Sequence, residues 1–268
     1  MKRMNIGPAF RYQAMGSLRA TGLFIGIMLL LMALTTGLSY WFLTHGVNSS
    51  GSNSSFTFAT MIFSFVMGIC LVREALRLFI QNGVGRTTTF VTQLLFVAVF
   101  SIVLAVAAEL YLLLGRLITM GLPNMIVTDL FQMGYFGGMT PAALEAMTLL
   151  DHLTCIACAF SLFAAAYLGG MFLSLLFFRL NKMWTIIVAV GVPVLFFIGL
   201  PVLLSVDPVR TALVGPVGKA MAETVIRLIT YIVSGPWAFV SVFLILAAVL
   251  GAIDWLLIRR APIKPSKG

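Results

Sequence analysis

Long apolar runs separated by short polar or mixed interruptions make up nearly the whole chain. Six runs stand out, over residues 22–43, 56–79, 90–114, 153–178, 183–204 and 231–258. Three of them, 22–43, 153–178 and 183–204, hold no charged residue. A bilayer core about 30 Å thick is crossed by roughly 20 helical residues. A crossing segment must also satisfy its own backbone hydrogen bonds, which favours helix. The pattern predicts an all-α polytopic membrane protein with six transmembrane helices, and its 268 residues leave no room for a soluble domain.

The interruptions carry their own patterns. In residues 1–21, Phe10, Ala14 and Leu18 recur at helical spacing, with Arg11, Gln13, Ser17 and Arg19 off that stripe. This predicts a short interfacial helix on the cytoplasmic membrane surface. Segment 116–151 is long and still apolar, with Met125, Ile126, Leu130, Phe131, Tyr135 and Phe136. Within it, Thr140 followed by Pro141 reads as a capping hydroxyl and a proline at the first helical position. A helix over 141–178 follows, 38 residues and about 57 Å long, more than a bilayer needs. In segment 205–230, Val214, Val217, Met221, Val225 and Leu228 form an apolar stripe beside Lys219, Glu223 and Arg227. Gly215-Pro216 breaks that segment, so it is expected as a short amphipathic outer hairpin before a last span that begins near Ser234-Gly235-Pro236.

Composition and charge sharpen the picture. The chain is 61% hydrophobic and 9% charged, whereas soluble domains average about 25% charged. A net charge of +9 would suit nucleic acid, but the cations form no patch with interleaved aromatics. Thirteen of the 17 lie before run one, between runs two and three, between four and five, or after six. That asymmetry is the positive-inside pattern, and it sets both termini in the cytoplasm. The first run is too long for a cleaved signal.

Catalytic signatures do not emerge. There is no H-E-x-x-H and no G-x-S-x-G, and residues 215–220 lack the spacing and hydroxyl of a phosphate-binding loop. Glu145, Asp151 and His152 read as a solvated outer helix end rather than a metal site. Cys70, Cys155 and Cys158 fall inside apolar runs and behave as small hydrophobes. Glu109 and Asp254 are the intramembrane ionisable residues: Glu109 within reach of Arg116, Asp254 close to Arg259 and Arg260. Ala157, Ala159, Ala164, Ala165, Ala166, Gly169 and Gly170 mark a closely packed face.

The turn after the second run is the most telling feature. Arg73, Glu74 and Arg77 leave the membrane one turn apart, Asn82-Gly83 stops the helix, and Thr87-Thr88-Thr89 caps the next. Gln81-Asn82-Gly83-Val84-Gly85-Arg86-Thr87, set between two spans, resembles the corresponding turn in the six-span permease subunits of type-2 ABC exporters. An interfacial helix before the first span and short outer helices before the last belong to the same resemblance. It implies a coupling helix made by Arg77, Gln81, Asn82, Gly83, Arg86 and Thr87, docking on a separate cytoplasmic ATPase subunit. It also implies a second permease copy or related permease, with ATP and Mg held by the ATPase and no cofactor in this chain. The chain is then a transport subunit, not an enzyme, in a bacterial inner membrane, binding lipid bilayer and no nucleic acid. Its cavity residues suit an amphipathic or lipophilic cargo, a peptide or drug. The alternative is a secondary transporter or channel that needs no ATPase and depends on Glu109.

Overall fold

A computed structural model describes residues 6–45, 51–52, 55–119, 125–137, 147–179 and 216–259. Its elements, in chain order, are α1 (Ile6–Thr44), β1 (Gly51–Ser52), α2 (Ser55–Gln81), α3 (Arg86–Thr119), β2 (Met125–Ile126), α4 (Leu130–Tyr135), α5 (Leu149–Arg179), α6 (Pro216–Val233) and α7 (Pro236–Arg259). The two strands form one parallel pairing two residues long, Gly51 with Met125 and Ser52 with Ile126. Among the described residues, everything else with regular structure is helix.

Five of these helices, α1, α2, α3, α5 and α7, are long and apolar enough to cross a bilayer. Their outward faces stay apolar: Leu23, Ile27, Leu30 and Leu34 of α1 and Ile245, Val249 and Leu256 of α7 are exposed. Water would not tolerate that surface, whereas hydrocarbon does. The chain is therefore a multi-pass membrane protein. The expected span at 183–204 and the Thr140-Pro141 helix start lie outside the described residues.

The bundle is organised around α5, which packs against α2, α7 and α3. Cys158, Phe163, Tyr167 and Met171 of α5 are wholly enclosed. The tightest crossing is with α2. A Cβ placed on Gly68 would lie 2.2 Å from the Tyr167 carbonyl oxygen, and one on Gly170 would lie 2.1 Å from that of Phe65. No side chain fits at either position, so the two backbones touch directly, as small residues permit between membrane helices. Hydroxyls reinforce the contact, Ser64 donating to the Phe163 carbonyl and Ser174 to that of Ile69, each at 2.9 Å. The small-residue face expected on this helix is thus an intramolecular packing face, centred on Gly170. Gly169 only touches the Phe65 ring, at 3.7 Å.

Three expectations are corrected. The interfacial helix and first span are one unbroken 39-residue helix, with no boundary between residues 21 and 22. Its first turns are buried along Ala9, Gln13, Ser17 and Thr21, so the polar stripe faces the protein together with Phe10 and Ala14, which pack on the core, and only Leu18 stays exposed. Burial is tolerated because the hydroxyls bond within the helix: Ser17 to the Ala14 carbonyl at 2.9 Å, Thr21 to that of Ser17 at 2.8 Å. Second, α5 does not extend back through 147–148. Thr148 starts it, its N–H and O–H donating to Asp151 Oδ2 at 2.8 Å each, while the Asp151 N–H returns to Thr148 Oγ1 at 3.4 Å. This is a capping box, and it defines the end of a 31-residue helix. Third, the apolar run 231–258 is not one helix: α6 runs on to Val233, the chain turns at Ser234-Gly235, and the last span begins at Pro236, where Ser234-Gly235-Pro236 placed its start. Pro216 opens α6 as a first-turn proline.

Replacing Gly170 with leucine should cost about 3 kcal/mol or more, because backbone must move to admit it. Gly169→Ala should leave the thermal midpoint of the detergent-purified chain near wild type. Equal midpoints for both variants would refute the α2–α5 crossing.

Candidate functional site

Two regions carry the polar chemistry, one at each end of the bundle. At the first, α2 ends in a hydrogen-bonded stop. The Asn82 N–H donates to the Leu78 carbonyl at 3.1 Å and the Val84 N–H reaches back to Phe79 at 2.9 Å. Gly83 sits at φ +70°, the left-handed conformation that the Asn-Gly pair was expected to supply. The next helix restarts at Arg86, its Thr89 N–H donating to the Gly85 carbonyl at 2.9 Å. The threonines expected to cap it lie inside its first turns instead. Thr88, Thr89 and Thr92 are buried, with Thr89 and Thr92 hydroxyls bonded to the carbonyls of Gly85 and Thr88. They line a packed face, which leaves the cap to backbone.

Among the residues assigned to this turn, Gln81, Asn82, Gly83 and Thr87 are exposed. Arg77 lies in the last turns of α2. Arg86 is engaged, its Nη1 donating to the Arg259 carbonyl at 2.5 Å and so tying the turn to the end of α7. On the underside, Ala75 and Phe79 of α2 pack with Ala9 of α1, flanked by Leu78 and Val84. The Tyr12 ring meets Phe79 edge-on at 6.4 Å. Of the residues named for the interfacial helix, Phe10 meets Phe96 edge-on at 6.2 Å, while Arg11, Leu18 and Arg19 are exposed.

Behind this face lies a polar cluster that sequence reasoning missed. Gln13 of α1 donates to Gln93 of α3 and lies 3.5 Å from the Tyr167 hydroxyl of α5, and all three are enclosed. A glutamine in the middle of an apolar run was the available signal. Here it joins three helices.

The opposite end holds a second network, built on α4. Thr57 of α2 donates to the Asp129 carboxylate. Gln132 Oε1 accepts from Arg116 of α3 at 2.5 Å and from the Asp129 N–H at 3.4 Å, and Arg116 Nε reaches the Val127 carbonyl at 3.5 Å. Tyr135 donates to the Ile232 carbonyl of α6 at 2.7 Å, and Phe131 meets Phe239 of α7 at 5.1 Å. A six-residue helix is thereby fastened to α2, α3, α6 and α7. Asp129 followed three residues later by Gln132 is a readable helix start, but its partners come from elsewhere in the chain.

Glu109 does not pair with Arg116, as the sequence suggested. Its carboxylate faces His152 of α5 at 3.3 Å, because Arg116 is already held by Gln132 and Val127. Likewise Asp254 is not turned toward Arg259. It is fully enclosed on the face of α7 that carries Gly251 and Ile258, and neither carboxylate oxygen has a hydrogen-bond partner among the described residues. Among those residues no three His, Cys, Asp or Glu side chains gather as metal ligands. Comparison of the chain with protein-family models, curated proteins and solved structures finds no match.

Burial pushes the Asp129 carboxyl above the ordinary carboxylate range, offset in part by the Thr57 hydroxyl and the N–H groups of Leu130 and Phe131. A raised folded-state value means that the folded chain binds this proton more tightly than the unfolded chain. Its contribution to stability is therefore favourable at low pH and diminishes as pH rises from the ordinary range through the raised one. Asp129→Asn should flatten that part of the pH profile of the thermal midpoint. An unaltered profile would exclude Asp129 as its source.

Proposed function

We propose that the chain is the permease subunit of an ABC-type exporter, working with a separate ATPase and a second permease copy in a bacterial inner membrane. The supporting observation is the α2–α3 turn. Gln81, Asn82, Gly83 and Thr87 project from a helix stop whose underside is packed on α1 and whose flank is tied to α7. A push on such a turn reaches α1, α2, α3 and α7 together, which is what a coupling element requires.

ATP and Mg act on the partner subunit. In this reading, closure of the ATPases moves the turn, and the helix bundle passes that movement to its outer end. Both termini face the cytoplasm, in keeping with the cation asymmetry. The exposed apolar faces of α1 and α7 meet lipid or the second copy, and the cargo is amphipathic or lipophilic.

A second reading, a gradient-driven carrier without an ATPase, draws on the Glu109–His152 pair and the enclosed Asp254. The two readings diverge in one experiment. Because Arg86 also holds α7, its reversal would disturb the bundle, so the exposed Gln81 and Thr87 are the better probes. Purification of the tagged chain from native membranes should recover a Walker-A ATPase. Gln81→Trp with Thr87→Trp should reduce that recovery about tenfold, the loss of roughly 1.4 kcal/mol of docking, with an unchanged thermal midpoint. No ATPase with the wild-type chain, and transport abolished by Glu109→Gln, would transfer the assignment to the carrier.

A further inference from the structure

A cleft of about 640 Å³ opens between α1 and α2 near the end that carries the Asn82-Gly83 turn. Such a volume lies within the usual range of small-molecule sites, roughly 300–1,000 Å³. Its lining is amphipathic in an ordered way. Leu18 and Leu71 supply apolar wall, and Tyr12 and Gln13 supply polar groups. Arg19 and Glu74 add one charge of each sign.

Among the described side chains those two charges have no partner: no ion pair or hydrogen bond joins Arg19 or Glu74 to the other or to another. Gln13, 1% exposed, contributes a side-chain oxygen that has no partner among the described residues. The cleft therefore offers a guanidinium donor and a carboxylate acceptor beside leucine surface. Arg19 and Glu74 lie in candidate spans Gly7–Phe42 and Phe56–Leu76, Glu74 two residues from the end of its span and Arg19 just before the apolar run 22–43, which puts the charged part of the cleft toward the end of the bundle that carries the Asn82-Gly83 turn.

We propose that this cleft binds one aminophospholipid of the surrounding bilayer, its phosphate on Arg19 and its primary ammonium on Glu74. A guanidinium matches the phosphate oxygens. A primary ammonium has N–H groups that can donate to the exposed Glu74 carboxylate. A choline headgroup has none, and a glycerol headgroup has no cation. The acyl chains run along Leu18 and Leu71 into the membrane. Binding of this kind is independent of whether an ATPase drives the protein.

The test is native mass spectrometry of the full chain in detergent, with equal amounts of phosphatidylethanolamine, phosphatidylcholine and phosphatidylglycerol bearing identical acyl chains. One phosphatidylethanolamine should be retained about tenfold over the others, the scale of a charge-assisted hydrogen bond. Glu74→Gln should erase the preference for ethanolamine over choline, and Arg19→Gln should weaken all three. Gly16 also lines the cleft, and a Cβ there would meet nothing within 4 Å. Gly16→Phe should accordingly expel the lipid without shifting the thermal midpoint, which keeps the test open if a charge variant unfolds. Equal retention of the three lipids would overturn the proposal. So would a preference unchanged by Gly16→Phe, or a stable dimer that excludes lipid from the cleft.

Discussion

The bundle depends on one contact without side chains, the crossing of α2 and α5 at Gly68 and Gly170. Membrane helices gain little from burying apolar surface against one another, since lipid is equally apolar. Close backbone approach is what remains, and here it comes within 2.2 Å of a hypothetical Cβ on either helix. Once α2 and α5 are locked, Tyr167 meets the Phe96 and Phe100 rings at steep angles, at 5.9 and 5.7 Å, bringing α3 in. Along α5, Cys158 is enclosed and its thiol lies 3.6 Å from the Pro236 carbonyl, at the start of α7. The α2–α3 turn and the network around α4 are therefore both mounted on helices that this crossing fixes.

Polar groups then distinguish the two ends. The turn end exposes Gln81 and Thr87, while the Asn82 amide bonds back to the Leu78 carbonyl, and it is linked internally by the apolar patch under Phe79, the Arg86 bond and the Gln13–Gln93–Tyr167 cluster. The opposite end is dense with internal hydrogen bonds, and α4 contacts four neighbouring helices through Asp129, Gln132, Tyr135 and Phe131. Rearranging the outer end means breaking several hydrogen bonds at once in surroundings poor in water, where each unmade bond costs more than in solution.

What could be read from the chain alone was local. Asn82-Gly83 predicted a left-handed stop, and Gly83 has it. Pro216 and Pro236 open helices, and the alanine- and glycine-rich face of α5 is packed. What escaped was the choice of partners. Gln13, Ser17 and Thr21 have the chemistry of a water-facing stripe, and only the proximity of Gln93 and Tyr167, with hydroxyls bonding within their own helix, turns that stripe inward. Glu109 had Arg116 two turns away in sequence, but Gln132 and Val127 claim the arginine first, leaving His152 for the carboxylate. Periodicity assigns a residue to a face; it does not say what the face meets.

The continuity of α1 limits how this protein can move. At 39 residues and about 58 Å, it extends past both faces of a typical hydrocarbon core and carries no hinge. It is held near one end by Gln13 and near the other by Met32, which packs with Phe56 and Tyr111. A stiff rod with two bearings cannot tilt at one without loading the other. A displacement at one end of the bundle is then carried along this helix to the packing at the other, so the two ends are mechanically one body along α1.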